Sequence, residues 1–477
     1  MSTVATALVP ALREVVGPLG LLDDAADTAP YAEDWRRLYR GRTPAVVRPA
    51  NIAELAEVVR RCAAAGVGMV PQGGNTSMVA GATPAADGSQ IVISLARINR
   101  LRDIDPIDMT MTVEAGMTLK AAQDAAAACG CMLPLSIAAE GTAQIGGVLA
   151  TNAGGNTTVR FGNARDLVLG IEAVMADGAV LSALRRLRKD NTGYCLRQLL
   201  VGSEGTLGII SAAVLKLVPA MAEREVALCT VASPEAALAL FGRLRREDPA
   251  ALIAFEYMAG EGMGLVLRHI PGAVLPVAAA AHYALIELAT PRRAAGLRAV
   301  LEDTLSAAME AGAVRDAVIA ESGAQRAALW KLREEHAEAQ RREGASVKND
   351  VSVPVSRVPE FLARARAACE ALVPGVRVVP FGHMGDGNIH FNLAQPDGAD
   401  GAAFLAQSHA IMAAVGAVVR ALDGSFSAEH GVGRLKPYMM ESWRGGTELA
   451  TMRQIKQALD PRGVMNPGKV LPDAGGA

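Results

Sequence analysis

The hydrophobic pattern changes character once along this 477-residue chain. Up to about Val218, short apolar runs alternate with amphipathic stretches. Val67–Val70, Ile91–Leu95 and Met111–Ala115 have the length and composition of buried strands. Asn51–Cys62 is amphipathic; Asn51 can cap it, and Glu54 can complete a capping box. Thr118–Cys129 reads as a second helix, closed by Gly130. Pro219 and the charged patch Glu223-Arg-Glu225 then mark a boundary. Beyond it, strands at Val226–Val231, Ile253–Met258 and Tyr283–Leu288 alternate with Ala-rich helices over 234–247, 292–311 and 321–343. The pattern predicts an α+β fold. A first domain covers 1–219 and an α+β domain with an antiparallel sheet covers 220–420. A short helical C-terminal segment covers 421–477, its helix at 447–459 stopped by Asp460-Pro461.

Composition narrows the function mostly by exclusion. A net charge of −2, with no block of like charges, gives no footprint for nucleic acid or an anionic membrane. The longest apolar stretch, Ala273–Ala289, is broken by Pro276, His282 and Glu287, so no transmembrane segment is expected. Met1–Gly17 has no basic region ahead of its apolar residues and no cleavage site. The six Cys are scattered, and Cys129-Gly-Cys131 has no second pair to complete a zinc knuckle. Reduced thiols in a cytoplasmic enzyme are the expectation.

The chemistry lies in glycine-rich segments. No Gly-x-Gly-x-x-Gly follows a strand, so the Rossmann fingerprint is absent. Gly73-Gly-Asn-Thr-Ser77 can instead form a nest of backbone N–H groups for a pyrophosphate. Gly146-Gly147, Thr151-Asn-Ala-Gly-Gly155 and Gly202-Ser-Glu-Gly-Thr-Leu-Gly208 allow close approach of backbone to a ligand. One such segment reads most simply as a tight turn. Several within one domain favour a large phosphate-bearing cofactor.

A second cluster lies near the C-terminal end. His383 and His390 flank an Asp386-Gly387 turn, and Asn392 follows His390 on the same face of a strand. Glu429-His430 stands in another glycine-flanked segment. Three of only seven His fall in these stretches. A set of two His and a carboxylate suits Zn²⁺ or a similar ion with positions open to substrate. A hydrogen-bonded pair of His in a hairpin is the competing reading. Two further segments carry cations. Arg333 lies on a predicted helix face with Trp330 and Ala337. Lys348 alternates with Asp350 and Ser352 opposite Val347, Val351 and Val353.

These residues carry a resemblance. Pro71-Gln-Gly-Gly-Asn-Thr-Ser77, Ile145-Gly-Gly147, Thr151-Asn-Ala-Gly-Gly155, Lys189-Asp-Asn-Thr-Gly-Tyr194 and Gly202–Ile210 resemble the FAD-binding domain of the vanillyl-alcohol-oxidase/p-cresol-methylhydroxylase flavoproteins. Residues 382–390, Ala428–Gly433 and Asn466-Pro-Gly-Lys469 resemble the branch of D-lactate, glycolate and D-2-hydroxyglutarate dehydrogenases. The resemblance implies a two-subdomain FAD-binding domain of the p-cresol-methylhydroxylase type. FAD contacts would come from Pro71, Gly73, Gly74, Asn75, Thr76, Ser77, Gly141, Ile145, Gly146, Gly147, Thr151, Asn152, Gly154, Gly155, Ile210 and Asn466. The first His of the chain is His269, so a histidyl link from the flavin domain is impossible and non-covalent FAD is expected.

The resemblance also implies His383, His390 and Glu429 as ligands of Zn²⁺ or another divalent ion such as Mn²⁺. His430 becomes the catalytic base, and Arg333, Lys348, Asn392 and His430 bind substrate. Lys348 resembles the D-2-hydroxyglutarate enzymes. Ala337 stands where the branch has a Thr, which keeps D-lactate, D-malate and glycolate open as substrates. A metal-dependent hydrolase and a non-catalytic flavin subunit are the competing classes. The expected partners are a small 2-hydroxy acid and an electron acceptor, such as an electron-transfer flavoprotein or a quinone, with a homodimer as a candidate assembly.

Overall fold

The computed structural model describes residues 3–472, and the chain divides into two compact units. One comprises Met1–Gly154, Gly162–Ala220 and His430–Ala477. The other comprises Gly155–Phe161 and Met221–Glu429.

The first unit holds two principal sheets. A four-stranded sheet runs in the order Leu21–Leu22, Val46–Val47, Gln90–Ser94, Gly68–Gln72, its last three strands parallel. Met69, Ile91 and Ile93 are fully buried in it against Leu12, Leu55, Val58 and Val59 of two helices. The second of these helices, Ile52–Ala65, is capped by Asn51 as predicted, but Glu54 reaches past the Asn51 N–H to that of Ala50, so the capping box is only half formed. Glu54 N–H donates to Asn51 Oδ1 at 2.9 Å, and Ala50 N–H donates to Glu54 Oε2 at 2.7 Å. Gly66 ends it in the left-handed region, with φ 67°. The second sheet is five-stranded and antiparallel, in the order Leu101–Asp105, Thr110–Glu114, Ile209–Lys216, Val168–Val174, Val180–Ala183. The C-terminal stretch closes back onto the parallel sheet. Met465 bridges to Met69, and Asn466 N–H donates to Met69 O at 2.8 Å.

The second unit is built on one antiparallel sheet, as its alternating strands predict. The order is Val314–Ile319, Glu223–Val231, His282–Thr290, Leu252–Ala259, Arg377–Gly382, Asn388–Ala394, Ser346–Val347, with Asp350–Ser352 also on Asn388–Ala394. Val226, Leu228, Met258, Tyr283, Leu285 and Phe381 bury one face against Met263, Leu329 and Leu332 of flanking helices. Residues 155–161 join this unit through Phe161, which packs on Ile253, Ala254 and Ala289, and through Arg160 donating to Ala289 O at 2.7 Å.

Two helices differ from the sequence pattern. The helix expected over 292–311 starts at Leu297, because the Glu223 carboxylate accepts from the N–H groups of Ala295 and Leu297, both at 2.6 Å. The helix expected over 321–343 is two helices, Gly323–Glu334 and His336–Glu343. At the break, the His336 ring takes the Leu332 carbonyl through Nδ1 at 2.9 Å, a side chain intruding on the backbone ladder.

The hairpin Arg377–Ala394 turns at Gly387, whose φ is 87°. A Cβ there would stand 2.1 Å from the Val353 carbonyl oxygen. Gly387→Ala combines a left-handed φ with a backbone collision, so a loss of about 2–3 kcal/mol is expected. Urea unfolding of the two proteins checks it; equal midpoints would refute the strain.

Candidate active site

The flavin-type loop of the first unit begins where the parallel strand Gly68–Gln72 ends, the end at which open α/β sheets bind ligands. Gly73, Gly74 and Asn75 turn the chain there. A Cβ on Gly74 would lie 1.9 Å from Thr142 O, so the loop packs backbone to backbone on the turn before Ile145. Asn75 is left-handed, with φ 53°, and its Nδ2 donates to Pro30 O and Glu33 O at 3.2 and 2.9 Å. Ser77 Oγ accepts from the N–H groups of Val79 and Gly81. Pro71 packs on Gly205. Gly146 sits against Ala115 in the helix Ile145–Ala150, where Ile145 is buried. Ile210 is buried in the strand Ile209–Lys216. Thr151 Oγ1 returns to Gly147 O at 3.1 Å, and Asn152 Oδ1 accepts from Arg165 N–H at 2.9 Å. Gly141 lies exposed in the turn that packs on Gly74. Gly154 ends the first unit's opening segment and Gly155 starts the second unit's. Thr76 is half-buried.

The C-terminal segment supplies what the glycine motifs omit. Asn466 Nδ2 donates to Gly81 O and Glu204 O at 2.9 and 2.7 Å. Glu204 is half-buried, and its desolvation raises its carboxyl pKa; its two oxygens accept the backbone N–H groups of Val432 and Gly433, each at 2.8 Å. Lys469 Nζ and Arg434 Nε and Nη2 are buried with no hydrogen-bond partner among the described residues. Burial first, and Arg434 second, push the Lys469 amine down to about 6. A buried amine without a hydrogen-bond partner among the described residues, and guanidinium nitrogens of Arg434 buried without one, fit a cofactor that carries phosphates and a polar ring.

The second unit assembles the metal-type residues. His390 lies on Asn388–Ala394, paired on one side with Phe381 and on the other with Asp350. His383 stands at the head of the hairpin turn, its ring centroid 5.8 Å from that of His390. Each His has a carboxylate at Nδ1: Glu256 Oε1 at 2.8 Å for His383, and Asp350 Oδ1 at 3.8 Å for His390. Both then turn Nε2 toward Glu429, at 4.0 Å from Oε2 and 3.6 Å from Oε1. Asp350 also accepts from Asn388 Nδ2 at 2.9 Å and from Glu429 N–H at 3.1 Å, so one buried carboxylate sets both His390 and the Glu429 backbone. Donor atoms of Asp350, His390 and Glu429 lie within 4.8 Å of one another. Two imidazoles with carboxylates behind them, facing a third carboxylate, form a donor set that fits a borderline divalent ion. Burial and then Asp350 raise the Glu429 carboxyl to about 7, and burial raises Asp386 to about 6. His430 follows Glu429 and opens the first unit's C-terminal segment.

Arg333 and Lys348 have different settings. Arg333 is 7% exposed; its Nε donates to Glu256 Oε2 at 2.6 Å, and its guanidinium lies 4.9 Å from the centre of the Phe381 ring. Glu256 therefore joins Arg333 to His383. The helix break turns Ala337 outward and leaves His336 and Gln340 buried with Arg333, so the expected face of Arg333 with Ala337 is not formed. Lys348 is half-buried, and the register Val347↔Leu393, Asp350↔His390 sets it across from Asn392. Asn392 donates through Nδ2 to Gln340 Oε1 at 3.0 Å and accepts from Asn349 N–H at 3.3 Å.

Sequence reasoning missed Glu256, Asp350, Glu204, Asn388 and Arg434. Glu256 had a signal, a charge inside an apolar strand. Glu287 carries the same signal and serves structure alone, bonding Trp330 Nε1 at 2.7 Å and Arg224 Nε at 3.1 Å.

The glycine loop and its buried cations, with the paired His–carboxylate sets, define a flavin-dependent oxidoreductase. Residues 43–183 match the FAD binding domain family, and residues 220–470 match the C-terminal domain of the FAD linked oxidases. The chain belongs to the FAD-linked oxidase family. It is 39% identical over 461 residues to a D-2-hydroxyglutarate dehydrogenase of Xanthomonas citri pv. viticola, covering 96% of each chain. It is 37% identical to the mitochondrial D-2-hydroxyglutarate dehydrogenase of Bos taurus, over 97% of this chain and 83% of that one. The corresponding enzyme of Stutzerimonas stutzeri is 34% identical, with 98% and 99% covered. Substrate-bound p-cresol methylhydroxylase shares the fold, with a TM-score of 0.76 over 98% of this chain and 97% of that one at 15% identity. These comparisons bear out the expected family and the α+β fold of the p-cresol-methylhydroxylase type. Among the described residues no helix is long and apolar enough to cross a membrane.

The Glu256 pair dictates a pH response. Burial works to raise the Glu256 carboxyl, but His383 and then Arg333 outweigh it and hold it at about 2. Burial works to lower His383, and Glu256 outweighs that, raising it to about 9. The carboxylate share of stability is complete above pH 4.5 and is lost as pH falls toward 2. The imidazolium share is complete below pH 6.5 and is lost as pH rises through 9. In chelator-treated protein, Glu256→Gln is expected to lose about 3–5 kcal/mol near pH 5.5 and to flatten both limbs. Urea unfolding across pH measures this; parallel curves for wild type and variant would refute the coupling.

Proposed function

We propose that the chain is an FAD- and divalent-metal-dependent dehydrogenase that oxidises D-2-hydroxyglutarate to 2-oxoglutarate. The observation that carries the reading is the convergence of His383 and His390 on Glu429, in a chain whose full-length relatives are named D-2-hydroxyglutarate dehydrogenases. His383, His390 and Glu429 hold Zn²⁺ or a related ion such as Mn²⁺. Glu256 hydrogen-bonds His383 Nδ1 and Asp350 stands 3.8 Å from His390 Nδ1, so each imidazole has a carboxylate on its Nδ1 side and would offer Nε2 as the ligand atom. When bound, the ion supplies Lewis acidity to the substrate hydroxyl. His430 takes the hydroxyl proton. FAD, held by the first unit, would supply the acceptor for the hydride on C2. Gly73–Ser77 would hold the pyrophosphate, and Asn466 and Lys469 would hold the flavin end of the cofactor. FAD is held without a covalent bond. Arg333 and Lys348 hold substrate carboxylate charge, and Asn392 orients the acid.

D-Lactate is the second reading; it rests on the sequence, where Ala337 stands in place of the Thr of the branch, and gains nothing from the fold, in which Ala337 is exposed. A hydrolase leaves the FAD-binding domain without use. The electrons pass to an electron-transfer flavoprotein or a quinone, and the enzyme works in the cytoplasm. The six free Cys fit a reducing compartment.

The purified protein is expected to be yellow, with FAD released on acid denaturation. His383→Ala, His390→Ala and Glu429→Ala are each expected to keep the flavin spectrum and lose turnover by more than about 100-fold, beyond what outer-shell partners contribute. Chelator should act like these variants, and added Zn²⁺ or Mn²⁺ should restore wild type alone. Full turnover in metal-free wild type would refute the metal, and colourless protein that binds no FAD would overturn the whole reading.

Substrate choice is tested at Lys348. Removing one charge partner of a buried carboxylate costs about 2–5 kcal/mol. Lys348→Ala should therefore lower kcat/KM for D-2-hydroxyglutarate by about that amount and for D-lactate by far less, at one fixed acceptor concentration. Equal losses for the two acids would show that Lys348 does not read the second carboxylate.

A further inference from the structure

Gln340 lies on the buried face of the helix His336–Glu343 and is 1% exposed. Its two amide atoms have unequal settings. Oε1 accepts from Asn392 Nδ2 at 3.0 Å. Nε2 is buried and has no hydrogen-bond partner among the described residues. Exchanging the two amide atoms does not remove the difficulty. Asn392 Oδ1 already accepts the Asn349 N–H at 3.3 Å, so Asn392 must present its NH₂ to Gln340. Gln340 must answer with its carbonyl, and its own NH₂ points elsewhere. A buried amide donor left unmade is costly, and in a binding unit a ligand acceptor is the natural remedy.

The strand geometry says where along a substrate that acceptor lies. Asn392 shares a face with His390 and stands two residues further along the strand, about 6.8 Å away. Gln340 reaches Asn392 rather than His390. Oxygens on C1 and C2 of a chelated 2-hydroxy acid stay beside His390 and Glu429. An oxygen that meets Gln340 therefore belongs to the other end of the molecule. Lys348, across from Asn392, places positive charge at the same strand position. The neighbouring candidates are unsuited. Ala337 has no polar side-chain atom, and Arg341 is exposed and engaged by Glu338 at 2.6 and 2.7 Å.

We infer that Gln340 is a specificity-determining residue whose Nε2 donates to the distal carboxylate of a dicarboxylic 2-hydroxy acid. This rests on the dehydrogenase reading above and deepens it. It gives the chain a neutral donor beside a cation, built on the helix turn after Ala337.

Two substitutions separate the donor from the packing. Gln340→Glu keeps an oxygen for Asn392 and replaces the donor with an acceptor. Gln340→Leu removes both polar atoms at similar volume. Each variant is titrated, as the FAD-loaded enzyme, with 2-oxoglutarate and with pyruvate, and flavin absorbance reads the dissociation constants. Steady-state kinetics with D-2-hydroxyglutarate and D-lactate follow. A lost hydrogen bond to a charged group corresponds to roughly 10- to 100-fold. The Kd for 2-oxoglutarate and the KM for D-2-hydroxyglutarate should rise by that factor in both variants. The matching losses for pyruvate and D-lactate should be at least about tenfold smaller. Equal losses for both acids, or loss in Gln340→Leu with none in Gln340→Glu, would mean that Gln340 only supports Asn392, and would overturn the inference. Wild type that oxidises neither acid would overturn the dehydrogenase reading, and the inference with it. Wild type that prefers D-2-hydroxyglutarate, with neither variant altered, would overturn the inference alone.

Discussion

One buried carboxylate ties together the chemistry of the second unit. Glu256 is 1% exposed, in the middle of an apolar strand, and it is shared between Arg333 and His383. Taking a carboxylate into such a place is costly unless it is paired and hydrogen-bonded. Here the pairing is double, so each partner depends on the other two. The imidazole is fixed by its Nδ1 contact and presents one nitrogen only. The guanidinium is fixed by its Nε contact, lying over Phe381. His390 is set by strand register instead, between Asp350, whose carboxylate is 3.8 Å from Nδ1, and Phe381 on the neighbouring strands. The rigid sheet, rather than the glycine turn, determines where the metal-type ligands point.

The sequence disclosed structure where the signal was local. Asn51 caps its helix as the sequence requires, because an N-cap bond to the third residue on is local, and Glu54 answers it one residue early, at the Ala50 N–H. The antiparallel strands of the second unit were legible from alternation. What stayed hidden depended on distant partners. Glu223 shortens the helix at Leu297 from another strand. His336 breaks a helix by binding its own backbone, in a run whose periodicity continues unbroken. Phe161 draws residues 155–161 into the second unit by packing on Ile253 and Ala289, and no pattern within seven residues could announce that.

The candidate site divides along the same line. His383, His390, Glu429 and Lys348 stand in short segments where residue type and spacing speak together. Their supports do not. Asp350 lay in plain view on the predicted face of Lys348, yet its partners, Asn388 Nδ2 and the Glu429 N–H, emerge only when three segments meet. Glu256 and Glu287 look alike in sequence, each a Glu inside an apolar strand. Only the partners distinguish them: His383 and Arg333 for one, Trp330 and Arg224 for the other.

Among the described residues of the first unit, four of the eight left-handed residues other than Gly lie in the flavin-type motifs, and they explain why glycine counting alone under-reads a flavin loop. Asn75, Asn152, Glu204 and Asn466 have φ of 53°, 49°, 51° and 42°. Gly would adopt these conformations without strain, so the side chains must be needed. Each one is. Asn75 holds the carbonyls of Pro30 and Glu33, Asn152 holds the Arg165 N–H, and Asn466 holds the carbonyls of Gly81 and Glu204. Three of the four are Asn, the residue that tolerates this region best after Gly. Glu204 is the costly one, and it anchors the most. Its carboxylate gathers the Val432 and Gly433 N–H groups and its carbonyl receives Asn466. The backbone after His430 and the C-terminal segment thus close on a single strained residue of the Gly202–Gly208 motif, which couples the segment that begins at the candidate base to the loops of the flavin domain.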